Sequence, residues 1–265
     1  MGIGIASPCH SSKTNIREHQ TTCSSSAHLH ERDLSKGLAD LHSISCVTFR
    51  VVAERGVLMS VIILLRHAHS AANDSGLLTG QLPGVSLSKK GFVQANQLVE
   101  RIGKGKIDRL HISPIERCQL TIDPWLRSKY SSSLESFRVD DSLTEIDFGD
   151  WSGRKLSSLR REKLWKSVQN TPSQVTFPNG ESFKAAQRRA FLGIERIANA
   201  RGSKINLVLS HSDTIKLIVS KSLGMKLDSF QQIQINPASF TILNFSKGAT
   251  TLSTINNMGS LKDLL

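Results

Sequence analysis

Two apolar runs of strand length constrain this chain most: VIILL at residues 61–65 and INLVL at residues 205–209. Each is short, rich in β-branched residues and apolar throughout except for Asn206, unlike a strand with one face in water. Strands of that kind are covered on both faces, which is the condition of a largely parallel sheet. The stretches between them turn helical. Ser88 stands in a capping position ahead of Phe92, Ala95, Leu98, Val99 and Ile102, which fall on one helical face. A strand over Arg109–Ile112 leads to Pro114, suited to the first turn of a helix that carries Arg117, Leu120 and Thr121. Pro124 is expected to end or bend that helix. Residues 137–139 read as a short strand, and RKLSSLRREKLWKSV as a basic helical stretch. A long helix over 182–200 has Phe183, Ala186, Ala190, Phe191, Ile194 and Ile197 as its stripe. A helix over 214–223 stops at Gly224, and residues 239–245 and 250–255 read as closing strands. Repeated βα units predict a three-layer αβα sandwich around a mostly parallel central sheet.

Both apolar runs end in a histidine, as Arg66-His67 and Ser210-His211. In open α/β sheets the carboxyl ends of strands are where ligands bind. SPIER places Arg117 at a helix start after a third strand, and LTEIDFGDWSG places Glu145 in a turn-rich stretch. Two His, two Arg and one carboxylate are thus expected in one pocket. That set suits phosphoryl transfer. Arg forks bind a phosphate dianion, a neutral imidazole is a competent nucleophile, and a carboxylic acid can protonate a leaving oxygen. Each feature alone is weak, because a strand-end His is more often structural and SPxxR by itself is a plain helix start. Their occurrence together, in order and at strand ends, carries the reading.

The blocks RHAHSAAN, LTGQLPGVSLSKKGFVQA, SPIERCQLT, LTEIDFGDWSG, FPNGES and LSHSDTIK resemble those of the histidine phosphatase superfamily, also called phosphoglycerate mutase-like. They span about residues 59–246. The resemblance implies a phosphoglycerate mutase-like fold and a role for each matching position. His67 would be the residue that is phosphorylated, and Arg66 and Arg117 would clamp the phosphoryl oxygens. His211 would sit across the phosphate, and Glu145 would be the proton donor. Asn73 matches an Asn that touches phosphate in many members, and Thr79 and Gly80 match a loop that lines the substrate pocket. The chain departs from the pattern in having Ala68 where Gly is usual, His69 where mutases commonly have Glu, and Ser212 in place of a Gly. Mutases usually read ERxYG at the Glu block and continue into a longer Arg- and Pro-rich segment. EIDFGDW, with a shorter stretch before FPNGES, is similar to the phosphatase branch.

The resemblance therefore implies a metal-independent phosphatase acting through a phosphohistidine, with no cofactor. A mutase-type phosphotransferase, a non-catalytic phospho-ligand-binding protein and a nucleic-acid binder are the alternatives. A net charge of +12 suits an anionic partner. No RNA-recognition or zinc-finger signature accompanies it, and aromatics are 5% of the chain, so a small phosphorylated metabolite is expected rather than nucleic acid. Arg154, Lys155, Arg160, Arg161 and Lys163 could attract a second anionic group, but the solvated face of a helix is the simpler account. Trp151 and Trp165 are pocket walls or, more simply, core. Monomer and homodimer both stay open.

Residues 1–58 differ in kind. They carry six Lys and Arg against five Asp and Glu, so most of the charge lies in 59–265. They hold five of the nine His and three of the four Cys, at spacings that match no standard metal site. They read as a disordered extension, or as sequence upstream of a true start at Met59. No run of 18 apolar residues occurs and no secretory h-region opens the chain, so no membrane span and a cytoplasmic location are expected.

Overall fold

In the computed structural model, residues 60–264 are described, apart from Ser203 and Gly248. The residues expected to form an extension, 1–58, lie outside them, as do Cys9, Cys23 and Cys46. In chain order the strands and helices are β1 (Ser60–Arg66), α1 (Ala71–Ser75), β2 (Leu77–Leu78), α2 (Lys89–Ile102), β3 (Arg109–Ile112), α3 (Glu116–Leu126), β4 (Ser136–Val139), β5 (Arg154–Lys155), α4 (Leu156–Leu159), α5 (Lys163–Asn170), α6 (Phe183–Ala198), β6 (Ile205–Ser210), α7 (Ser212–Ser222), β7 (Phe240–Ser246) and β8 (Ala249–Asn257).

Six strands form one sheet in the order β4-β3-β6-β1-β7-β8. The first four run parallel, and β7 and β8 close the sheet antiparallel. The two apolar runs lie side by side at its centre. Alternation along them separates two cores. Ile63, Leu65, Leu207 and Leu209 face α2 and α3, where they meet Ala95, Leu98, Ile122 and Trp125. Ile62, Leu64 and Val208 face α6 and α7, where they meet Ala190, Ile194, Ile215 and Ile218. Both faces are covered, which gives the three αβα layers. A third cluster, around Phe148, Trp151, Leu159, Phe177, Phe183 and Phe230, lies beyond the sheet edge. It supports a small cap in which β2 pairs with β5 through two residues.

Several local expectations are corrected. On α2, Gly91 faces the core and Phe92 is exposed. A Cβ at residue 91 would lie 1.9 Å from the His69 carbonyl oxygen, so that side of the helix admits no side chain. On α6, Phe191 is only half-buried, and Gly193 packs on Ser142 instead. Pro114 precedes the N-cap Ile115 and lies outside the helix. Pro124 does not stop α3, which continues to Leu126. It falls in the last turn, where its missing N–H leaves the Leu120 carbonyl without an intrahelical donor and only two helical residues follow. The basic stretch is two helices, α4 and α5, separated at residues 160–162. The last long helix, α7, begins at Ser212 rather than Thr214, so its first turn is built directly on His211.

Candidate active site

Strand register explains the site. In the parallel pairing of β1 with β6, Arg66 lies opposite Ser210. The next residues, His67 and His211, are therefore neighbours, with ring centroids 5.2 Å apart. The β3–β6 pairing sets Ile112 opposite Leu209, which delivers Ser113 beside His211. The chain reverses after β1 under backbone bonds from the Ala238 amide to the Arg66 and His67 carbonyls. All of this occurs at the carboxyl edge of the parallel strands, as the sequence predicts.

His67 is buried, and its Nδ1 lies 2.7 Å from the carbonyl oxygen of Ala68. A carbonyl can only accept, so Nδ1 carries the proton and Nε2 keeps its lone pair. Burial, followed by the charges of Arg117 and Arg66, holds the His67 pKa well below the ordinary imidazole value. The ring is neutral at physiological pH. The Ala68 amide donates to Thr121 Oγ1 at 2.9 Å, which pins the turn; Ala68 needs no positive φ.

His211 is fully buried, and burial and the same arginines also push its pKa well down. Its Nε2 lies 2.8 Å from Ser113 Oγ, and its Nδ1 is buried without a protein partner. Cys118 Sγ lies 3.6 Å from the same Nε2, and burial pushes that thiol up to about 12, so it stays a thiol. Arg117 donates from Nη2 to the Gly80 carbonyl at 2.8 Å and keeps a buried, unpartnered Nη1. Arg66 donates from Nη1 to the Ile235 carbonyl at 2.6 Å and keeps a buried, unpartnered Nε. Each guanidinium is thus aimed by one backbone carbonyl and retains a donor. Buried polar groups ordinarily find partners, so such donors side by side mark an anion site.

Glu145 is buried, and its Oε1 accepts from the Thr214 amide at 3.2 Å, Thr214 Oγ1 at 3.0 Å and the Ile146 amide at 3.1 Å. Burial first, then the nearby Asp213 carboxylate, raises its pKa against the pull of Arg117. A carboxyl pushed in that direction is suited to proton donation.

Arg66, His67, Arg117 and Glu145 line a cavity of about 350 Å³, whereas His211 is fully buried against His67 and is not among its lining residues. Asn73, Thr79 and Gly80 line it too. The oxygen of the Asn73 side chain is occupied as a capping-box acceptor from the Ser70 amide and hydroxyl, so only its amide nitrogen is available to a ligand. Trp151 and Trp165 line the cavity and also pack on the third core, so both of the alternatives left open by the sequence apply. Among the described residues, no group of three or more His, Cys, Asp or Glu could hold a metal ion. No helix among them is long and apolar enough to cross a membrane.

Sequence reasoning missed Ser113, Thr214 and the carbonyls of Ala68, Gly80 and Ile235. Ser113 lies inside SPIER and Thr214 three residues after His211, so both had a positional signal. The carbonyls had none, because any residue supplies one.

The sequence profile of the histidine phosphatase superfamily (branch 1) matches residues 62–258. The chain belongs to that superfamily. Phosphoserine phosphatase 1 of Hydrogenobacter thermophilus is 26% identical over 200 residues, covering 75% of this chain and 92% of that protein. An adenosylcobalamin/alpha-ribazole phosphatase of Salmonella typhimurium is 28% identical over 196 residues, covering 73% of this chain and 95% of that protein. Among solved structures, a putative alpha-ribazole-5'-P phosphatase of Escherichia coli superposes with a TM-score of 0.68 at 25% identity, covering 76% of this chain and 98% of that one. Family and relatives together place this superfamily member among phosphoric monoester hydrolases.

Proposed function

We propose that the protein hydrolyses phosphate monoesters without a metal, through a phosphohistidine at His67. The observation that carries this reading is the bond of His67 Nδ1 to the Ala68 carbonyl, which leaves Nε2 as a buried, neutral nucleophile beside Arg66 and Arg117. In the first step Nε2 attacks phosphorus, the P–O ester bond breaks, and Glu145 gives its proton to the leaving oxygen. In the second, water attacks phosphorus, Glu145 takes a proton from it, the P–N bond breaks, and inorganic phosphate leaves. The free donors of Arg66 and Arg117 face the developing charge. Ser113 Oγ accepts weakly from the Ile115 amide at 3.4 Å and so can donate its hydroxyl proton to His211 Nε2. That sets the His211 proton on Nδ1, where it becomes a further donor to the phosphoryl group. Asn73, Thr79 and Gly80 complete the binding loop.

The test is phosphate release from a panel of monoesters, phosphoserine and alpha-ribazole phosphate included, with a chelator present. Turnover is expected to survive the chelator and to fall at least about 10³-fold in His67→Ala. Release that needs a metal, or that persists in His67→Ala, overturns the reading. A trapped phosphohistidine that passes its group to a sugar acid and not to water would move the protein to the mutase reading.

A further inference from the structure

The cavity has a cationic floor and an apolar roof. Leu77 and Leu78 of β2, Trp151, Leu156 of α4, and Trp165 and Val168 of α5 form the roof, with the neutral amides of Gln169 and Gln231 beside them. Trp151 and Trp165 are near-parallel, with ring centroids 6.1 Å apart and planes 19° apart. Trp151 is held by the third core, while Trp165 is only half-buried. Among the described residues, the cations lining the cavity are Arg66, Arg117 and Lys216. The two arginines serve the phosphoryl group. Lys216 Nζ is held 3.0 Å from Asp213 Oδ1, so its charge is already balanced. None of Arg154, Lys155, Arg160, Arg161 and Lys163 lines the cavity. Arg154 is instead paired with Glu162, and the other four are exposed. The basic stretch therefore offers no second anion subsite, despite its charge.

We infer that the substrate is a monophosphate whose alcohol portion is an uncharged apolar or aromatic group, seated against the Trp151–Trp165 pair and the leucine wall. This rests on the phosphatase reading and names its substrate class. An apolar group gains by leaving water for that wall. The polar residues beside that wall, Gln169 and Gln231, are neutral amides, and Gln231 Nε2 is already bonded to the Val168 carbonyl at 2.8 Å, so a second phosphate would surrender its hydration with no cation there to replace it.

The experiment compares kcat/KM for 2-phenylethyl phosphate, ethyl phosphate and fructose 1,6-bisphosphate. The first two have similar leaving groups, so they differ in the apolar surface presented to the roof. The phenylethyl ester is expected to exceed the ethyl ester by ~10-fold or more, and the bisphosphate to be the poorest. Trp165→Ala should lower the phenylethyl-to-ethyl ratio at least about fivefold, chiefly through KM. Arg160→Ala and Lys163→Ala, which lie outside the cavity, should leave all three rates within about twofold. Hydrolysis of all three esters with a phenylethyl-to-ethyl ratio near one overturns the inference and leaves the phosphatase reading standing. So does a preference for the bisphosphate that Lys163→Ala abolishes. No release from any ester overturns the phosphatase reading instead. A binding measurement then decides the roof independently: 2-phenylethylphosphonate should quench tryptophan fluorescence in the wild type and bind at least about fivefold more weakly to Trp165→Ala, whose Trp151 still reports, whereas ethylphosphonate should not quench. Equal quenching by both phosphonates overturns the inference.

Discussion

The floor and the roof of the cavity come from different kinds of chain. His67 and His211 each follow a central strand, and the β1–β6 register alone makes them neighbours. Every floor group is held by a hydrogen bond to the scaffold: His67 to Ala68, His211 to Ser113, Arg117 to Gly80, Arg66 to Ile235 and Glu145 to Thr214. The side chains of the roof are apolar, and its hydrogen bonds are backbone ones, such as that from the Leu156 amide to the Gly76 carbonyl. It rests on a two-residue pairing of β2 with β5, a four-residue helix and an eight-residue helix, packed through side chains on a satellite core. Phosphoryl transfer needs its charges fixed in advance, because reorganising dipoles during reaction costs rate. An alcohol portion needs only a surface of suitable shape and polarity. The difference sets the groups that face a phosphate in the register of the sheet and the apolar wall in short elements outside it.

The strongest test of that contrast is Glu145→Gln. It keeps the shape of a floor residue and removes its proton, so kcat/KM should fall about 10²–10⁴-fold for good and poor alcohols alike. In the wild type the rate should decline on the alkaline side, as Glu145 loses the proton that burial and Asp213 help it retain. That limb should vanish in Glu145→Gln. A wild-type profile flat through alkaline pH would remove Glu145 from the acid role.

Gly80 joins the two regions and gives a smaller effect. Its φ is +52°, a Cβ there would lie 2.9 Å from both the Ile146 carbonyl oxygen and Phe148 Cδ2, and its own carbonyl holds Arg117. Gly80→Ala should cost about 1–3 kcal/mol of stability through strain and overpacking. It should also lower kcat/KM about tenfold by displacing Arg117. Unfolding in urea and steady-state rates on one ester check both. If the rate falls only for apolar alcohols, the loop belongs to the roof alone.

The smallest effect is on stability against pH. Burial pushes His67 and His211 well below the ordinary imidazole pKa, so the folded protein keeps them neutral while the unfolded chain binds protons below about pH 6.5. Stability contributed by each is present above that pH and is lost as pH falls, by about 1.4 kcal/mol per unit for each histidine. Glu145, with its pKa raised, acts in the opposite direction, so the useful comparison is wild type against His67→Gln. Urea midpoints at pH 7.5 and 5.5 should show the variant losing less stability on acidification. Equal losses would show that the His67 ring is not desolvated.

The sequence alone determined the layers and the floor. Continuous apolar strands demand cover on both faces, and a polar residue just beyond such a strand lies at the edge where ligands bind. So Arg66, His67, Arg117, Glu145 and His211 were legible before any coordinates. The family blocks added Asn73, Thr79 and Gly80, all of which line the cavity. Tertiary structure decided the rest. Helical periodicity favoured Phe92 over Gly91, because a carbonyl 25 positions from a hydrogen-bonding glutamine on the same helix leaves no mark on the pattern; His69 crosses α2 there, with its amide bonded to Gln94. The tautomer of His67 depends on a backbone carbonyl, which has no residue identity. Trp151 and Trp165 were ambiguous because a buried aromatic ring and a cavity wall have the same composition. Only the packing of α4 and α5 shows that the Trp pair belongs both to the third core and to the cavity wall. The charge of residues 154–163 left a second anion site and a solvated face both open, with the solvated face the simpler account; the fold exposes Lys155, Arg160, Arg161 and Lys163, since Lys and Arg heads stay hydrated unless partners are built for them.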